Sequence, residues 1–102
     1  MKEYHKLVRD KIPEVLDAKK IKYTISIAGE IEFEKKLSEK LQEEVDEFNE
    51  SKDIEELADI LEVVYAFADL KKSNKEEIET IRVKKAKERG SFNQRIILEK
   101  TD

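Results

Sequence analysis

The sequence predicts a mainly α protein: a helical bundle built on an antiparallel helix hairpin, with one or two short peripheral strands and a core completed by dimerisation. Three observations carry that expectation. Apolar residues recur at helical spacing through the middle of the chain, the breakers are few (Gly 2, Pro 1), and 45% of the 102 residues are charged against 38% hydrophobic. A chain of this length is one domain, here 1–102, and one so rich in charge has few side chains with which to fill a core of its own.

The elements follow in order. Asp10 is placed to cap a helix over roughly 11–20, with Pro13 in the first turn, where its missing N–H costs nothing. Ile21, Tyr23, Ile25 and Ile27 then alternate with Lys22, Thr24 and Ser26 up to Gly29, the period-2 pattern of a half-buried strand. From about 31 to 49, Phe33, Leu37, Leu41, Val45 and Phe48 form one apolar stripe of a helix. A turn at 49–53 follows, in which Ser51 or Asp53 caps the next helix, roughly 54–71. Between Leu57 and Leu70 only Asp59, Glu62 and Asp69 are charged. A helix apolar on nearly every side is buried on nearly every side, which one small chain can hardly achieve, so a symmetry mate is expected against it. Ser73 with Glu76, or Asn74 with Glu77, reads as a capping box for a last helix that Gly90 ends at Arg89. Residues 92–98 are β-capable around Ile96, Ile97 and Leu98, and are expected to pair with 21–27.

Charge and composition exclude several classes of function. With Cys 0 there is no disulfide, thiolate metal site or cysteine nucleophile, and neither a signal peptide nor a membrane span is legible, so the cytoplasm is the expected compartment. The net charge of −4 is unevenly spread: residues 30–79 hold 18 acidic and 7 basic residues, and the two ends together hold 14 basic and 7 acidic. An acidic centre with basic flanks lacks the continuous positive stripe that a nucleic-acid polymer requires. It suits a cation that carries a phosphorylated ligand.

Two clusters of acids sit where a core is expected. Glu44 falls on the edge of the stripe made by Leu37, Leu41 and Phe48; Glu56 stacks with Ile60 and Val63, and Asp59 with Val63 and Ala66. Glu44 and Glu47 are three apart, as are Glu56 and Asp59, and in a hairpin turning near Ser51 residues whose numbers add to about 103 face each other. Glu47 should then meet Glu56, and Glu44 should meet Asp59. Four like charges in a partly buried site repel and lose hydration unless a cation offsets them. All-oxygen ligation selects Mg²⁺, Mn²⁺ or Ca²⁺, and Mg²⁺ keeps open positions for water and phosphate oxygens. Lys6, Arg9 and Lys11 near the start, and Lys87, Arg89 and Arg95 near the end, are the candidate groups for polyphosphate oxygens.

Glu-x-x-Glu at 44–47 followed by Glu-x-x-Asp at 56–59 resembles the all-α nucleoside triphosphate pyrophosphohydrolase superfamily, which includes MazG proteins, dimeric dUTPases and phosphoribosyl-ATP pyrophosphohydrolases. The resemblance is closest to small stand-alone MazG-like or phosphoribosyl-ATP-pyrophosphohydrolase-like proteins. These carry Lys-Leu-Val-Arg-Asp-Lys-Ile-Pro, here 6–13, and a basic segment ending in Arg-Gly-x-Phe, here Arg89-Gly90-Ser91-Phe92, with a basic residue and Ile soon after, here Arg95-Ile96. It implies a MazG-like bundle in a homodimer or tetramer, and Mg²⁺, with Mn²⁺ as a substitute, held by Glu44, Glu47, Glu56 and Asp59. The implied reaction is hydrolysis of a nucleoside triphosphate between its α and β phosphates to monophosphate and pyrophosphate, as nucleotide-pool house-cleaning. Glu43 and Glu44 are the implied catalytic carboxylates, Glu43 binding metal or orienting the attacking water. Two rival readings remain open: a non-catalytic helical dimer that senses a nucleotide or holds a partner, and the phosphoribosyl-ATP step of histidine synthesis.

Overall fold

The computed structural model describes residues 2–102. Four helices follow one another: α1 (Ile12–Ala18), α2 (Glu30–Ser51), α3 (Ile54–Leu70) and α4 (Lys75–Arg89). Each boundary has a local cause. Pro13 sits in the first turn of α1, whose N-cap is Lys11, so Asp10 is not the cap and the helix is shorter at both ends than the sequence predicts. Lys52 adopts a left-handed conformation (φ 59°) and closes α2 through its N–H to the Phe48 carbonyl at 2.7 Å. Asp53, the next residue, is the N-cap of α3, but its side chain makes no capping bond; its N–H donates to Ser51 Oγ at 3.1 Å. Asn74 is the N-cap of α4, accepting from the Glu77 N–H at 2.8 Å, and Gly90 (φ 81°) ends that helix where a side chain would be strained.

α2 and α3 form the packed part of the chain, and α4 touches α3 alone among the described helices. Lys71, just past α3, pairs at 3.1 Å with Glu34 near the start of α2, and Glu44 meets Asp59 midway, so the two helices run in opposite directions. Among the described residues the buried apolar side chains are Leu37, Val63 and Ala68, and Leu37 is the most enclosed. Among the described residues α1 packs on none of the other helices, so a single chain is a helix pair with two outlying helices and not a closed bundle.

Two sequence expectations are corrected. Neither 21–27 nor 92–98 is a strand, and among the described residues there is no strand at all. Alternation gives a segment a face, but a strand exists only when a second backbone takes up its hydrogen bonds. Here no backbone hydrogen bond joins the two segments, and Ile25, Ile27, Ile96 and Ile97 are exposed. No helix is long and apolar enough to cross a membrane among the described residues.

Candidate metal centre

The central acids are brought together by the helix pair. One carboxylate oxygen from each of Glu44, Glu56 and Asp59 lies within 4.8 Å of the other two. Glu44 comes from the middle of α2, whose apolar stripe turns it towards α3; Glu56 and Asp59, three residues apart, come from the first turns of α3. Glu44 is only 6% exposed, while Glu56 and Asp59 are half-buried. Glu44 Oε2 and Glu56 Oε2 are buried with no hydrogen-bond partner.

That environment raises the pKa of both glutamates. For Glu44 the largest cause is burial, opposed by the Lys40 ammonium and reinforced by Glu47 and Asp59. For Glu56 burial again leads, followed by the charges of Glu47, Asp59 and Glu44. Each group is pushed towards its neutral form by neighbours of the same sign, the situation a bound cation relieves. Three oxygen donors and two orphaned, enclosed oxygen atoms fit a hard divalent ion. Glu47 stands at the edge of this set: it is exposed, and its charge acts on both Glu44 and Glu56.

Basic residues close over the acids. Arg9 donates to Asp59 Oδ1 at 2.8 Å and Lys6 to Glu43 Oε1 at 3.2 Å, while Lys36 holds the chain in place by donating to the His5 carbonyl at 2.6 Å. Residues 5–9 therefore lie against α2 and reach α3. Glu43, at the rim, is shared between Lys6 and Lys40, the second at 3.7 Å. Lys40 was not singled out by the sequence reading, yet its Nζ lies 3.1 Å from Glu44 Oε1 and its side chain is mostly buried. The signal was present: Lys40 is three residues before Glu43 and four before Glu44, so one turn of helix stacks it on both.

The remaining expected phosphate ligands are elsewhere. Lys11 is the exposed N-cap of α1. Lys87 and Arg89 occupy the exposed last turn of α4, and Arg95 lies beyond it with a left-handed backbone (φ 58°). Among the described residues none of these four forms an ion pair with an acid of the centre. Arg89 lines an open depression of about 200 Å³ with Gly90, Ser91, Asn93, Gln94 and Ile96. Compared with protein-family models, with curated proteins and with solved structures, the chain has no significant match in any of the three.

Proposed function

We propose that the protein is a Mg²⁺-dependent nucleoside triphosphate pyrophosphohydrolase, cleaving between the α and β phosphates to give a monophosphate and pyrophosphate, and working as a homodimer in nucleotide-pool house-cleaning. The observation that carries this reading is the convergence of Glu44, Glu56 and Asp59 within 4.8 Å, with two orphaned buried oxygens, with Arg9 against Asp59 and with Lys6 against the neighbouring Glu43. The resemblance of 6–13, 44–47 and 56–59 to the pyrophosphohydrolase motifs supplies the reaction.

Glu44, Glu56 and Asp59 would hold the cation, with Glu47 beside them, and when bound it would neutralise phosphate oxygens and acidify a coordinated water. Mn²⁺, with the same preference for oxygen ligands, would substitute. Glu43 is the carboxylate best placed to act on a water: it is partly exposed, on the rim of the centre, and oriented by Lys6 and Lys40. Arg9 and Lys6 are the groups for phosphate oxygens, since their acidic partners, Asp59 and Glu43, belong to the same site and an incoming polyanion can take their place. Lys40, mostly buried under Glu44, holds that carboxylate's orientation and offsets part of the repulsion before any ligand arrives.

Pyrophosphate release from a panel of triphosphates with Mg²⁺ or Mn²⁺ tests the proposal. Release is expected with at least one nucleotide and is expected to be abolished by Glu44→Ala and by Asp59→Ala; no release with any nucleotide would refute it. A second reading is favoured by the ion pairs themselves: Arg9 with Asp59 and Lys40 with Glu44 already offset two acids, as in a purely structural network of a non-catalytic module. In that case both alanine variants leave the protein's role in cells unchanged. The phosphoribosyl-ATP reaction is the narrower form of the enzymatic reading, and growth of a strain lacking that histidine-pathway enzyme on this protein would support it.

A further inference from the structure

A nucleoside triphosphate whose phosphates sit at a cation carries its base one sugar further along. A base is a planar π-system, so a protein receives it on an edge of hydrogen-bonding groups or on an aromatic face. Aromatic side chains are few here, Tyr 3 and Phe 4 with Trp 0, and their positions single out one of them. Phe33, Phe48, Tyr65 and Phe67 are half-buried in α2 and α3. Tyr23 and Phe92 belong to segments 21–27 and 91–98, from which, among the described residues, no side-chain hydrogen bond runs to the central acids. Tyr4 is 61% exposed and stands at the start of the segment that closes over those acids.

Three bonds fix where that segment lies. Lys36 donates to the His5 carbonyl at 2.6 Å, Lys6 to Glu43 Oε1 at 3.2 Å and Arg9 to Asp59 Oδ1 at 2.8 Å. His5 has a left-handed backbone (φ 48°), which a non-glycine residue keeps only where its surroundings hold it, and which turns the chain between Tyr4 and Lys6. Across that turn Lys6 Nζ lies 5.8 Å from the centre of the Tyr4 ring and 3.2 Å from Glu43 Oε1. A single ammonium thus links the ring to the rim of the metal centre. Lys2 Nζ lies 5.2 Å from the same ring. Both lysines are close enough to be attracted by the ring electrons, so the ring is flanked by the positive charge that a phosphate chain seeks.

We propose that Tyr4 receives the base of the nucleotide by stacking, with Lys6 beside it on the adjoining phosphates and Arg9 further in. The inference rests on the pyrophosphohydrolase reading for the kind of ligand, and adds to it the residue that engages the base. Every base has a π-face, so stacking admits them all, and preference follows the area of that face. Purine nucleotides, with two fused rings, bind more tightly than pyrimidine nucleotides.

Calorimetry with Mg²⁺ tests this on the wild-type chain, Tyr4→Phe and Tyr4→Ala, using non-hydrolysable purine and pyrimidine triphosphates and inorganic tripolyphosphate. The wild type should bind the purine nucleotide tightest and tripolyphosphate weakest. Tyr4→Ala should weaken the purine nucleotide about fivefold or more and leave tripolyphosphate within about twofold, while Tyr4→Phe, which keeps the ring, should match the wild type. Purine affinity unchanged in Tyr4→Ala, or no greater than that of tripolyphosphate in the wild type, overturns the inference. An equal loss for both ligands overturns it too, since Tyr4 would then only prop the segment that carries Lys6. Equal wild-type affinity for the two nucleotides overturns the purine preference. With Trp 0, tyrosine emission gives a second readout: the purine nucleotide should quench the wild type and quench Tyr4→Phe, which retains Tyr23 and Tyr65, much less. Equal quenching of the two places the base elsewhere. Stacking is read from binding alone, so an absence of pyrophosphate release sinks the enzymatic reading without touching it. A wild type that hydrolyses triphosphates but binds them no better than tripolyphosphate sinks the stacking and leaves the enzyme.

Discussion

Replacing Glu44 by Gln should stabilise the cation-free protein and remove its response to divalent ions. Glu44 has two acidic neighbours with ligand oxygens within 4.8 Å. At an effective dielectric near 20, each such pair of ionised groups repels by about 3.5 kcal/mol. The compensating attraction of Lys40 Nζ, 3.1 Å from Glu44, is about 5 kcal/mol on the same scale. Removing the charge therefore relieves about 2 kcal/mol, and water at the half-buried Glu56 and Asp59 screens this to about 1 kcal/mol. The Gln amide is nearly isosteric and has N–H groups to offer the orphaned Glu56 Oε2. For a chain of this size, ~1 kcal/mol corresponds to a rise of about 4–8 °C in Tm. The assay is thermal unfolding by circular dichroism, in chelator and in excess Mn²⁺. Wild type should gain about 1.4 kcal/mol when the ion is at ten times its Kd, and the variant should gain little. If Glu44→Gln melts below wild type in chelator, the acids are not in mutual repulsion; if Mn²⁺ raises both proteins equally, the ion binds elsewhere.

Stability against pH follows from the same groups. Because Glu44 and Glu56 titrate above the ordinary carboxylate value in the folded chain, the folded state binds more protons than the unfolded one between the two values. Cation-free protein should therefore lose stability as pH rises from the ordinary carboxylate pKa through the raised ones. A Glu44→Gln/Glu56→Gln double variant should flatten that decline, and an identical slope in denaturant titrations at several pH values would contradict the assignment. Lys40→Met leaves the Glu44 carboxylate buried without its cation, so it should push the Glu44 pKa further up and destabilise the protein at neutral pH, by up to ~3 kcal/mol; a mutant as stable as wild type would show that Lys40 carries no such charge compensation. Arg9→Ala should raise the KM for a triphosphate about tenfold or more, the loss of one charge-assisted contact, while Mn²⁺ affinity measured by calorimetry stays the same or improves because Asp59 is freed. Leu37→Ala, at 2% exposure, should cost about 2–5 kcal/mol in urea unfolding and, in a core this small, approach complete loss of the fold.

The helices were legible because their causes are local. The stripe from Phe33 to Phe48, the turn before α3, Asn74 with its bond to Glu77, and Gly90 are each settled within a few residues of chain. The acids were legible for a related reason: Glu44, Glu56 and Asp59 occupy positions that helical spacing turns towards apolar neighbours, and the meeting of one oxygen from each follows from those faces. Lys40 escaped notice because a lysine one turn from a glutamate is ordinary on an exposed helix; burial of its ammonium beside Glu44 gives it weight. Alternation at 21–27 misled because periodicity describes one segment, whereas a strand requires a second backbone at hydrogen-bonding distance.

What the sequence by itself determined is the helical class, the order and approximate limits of the helices, and which acids share a face, all of which depend on interactions spanning a few turns. Tertiary structure alone decided that three oxygens crowd within 4.8 Å with two of the set's oxygens left unpartnered, that Arg9 and Lys6 fold back onto the acids of α3 and α2, and that α4 stands away from its own helix pair. Those outcomes depend on contacts between residues from 12 to 50 positions apart, and the balance of burial and charge that sets them is a property of the packed chain, not of any single segment.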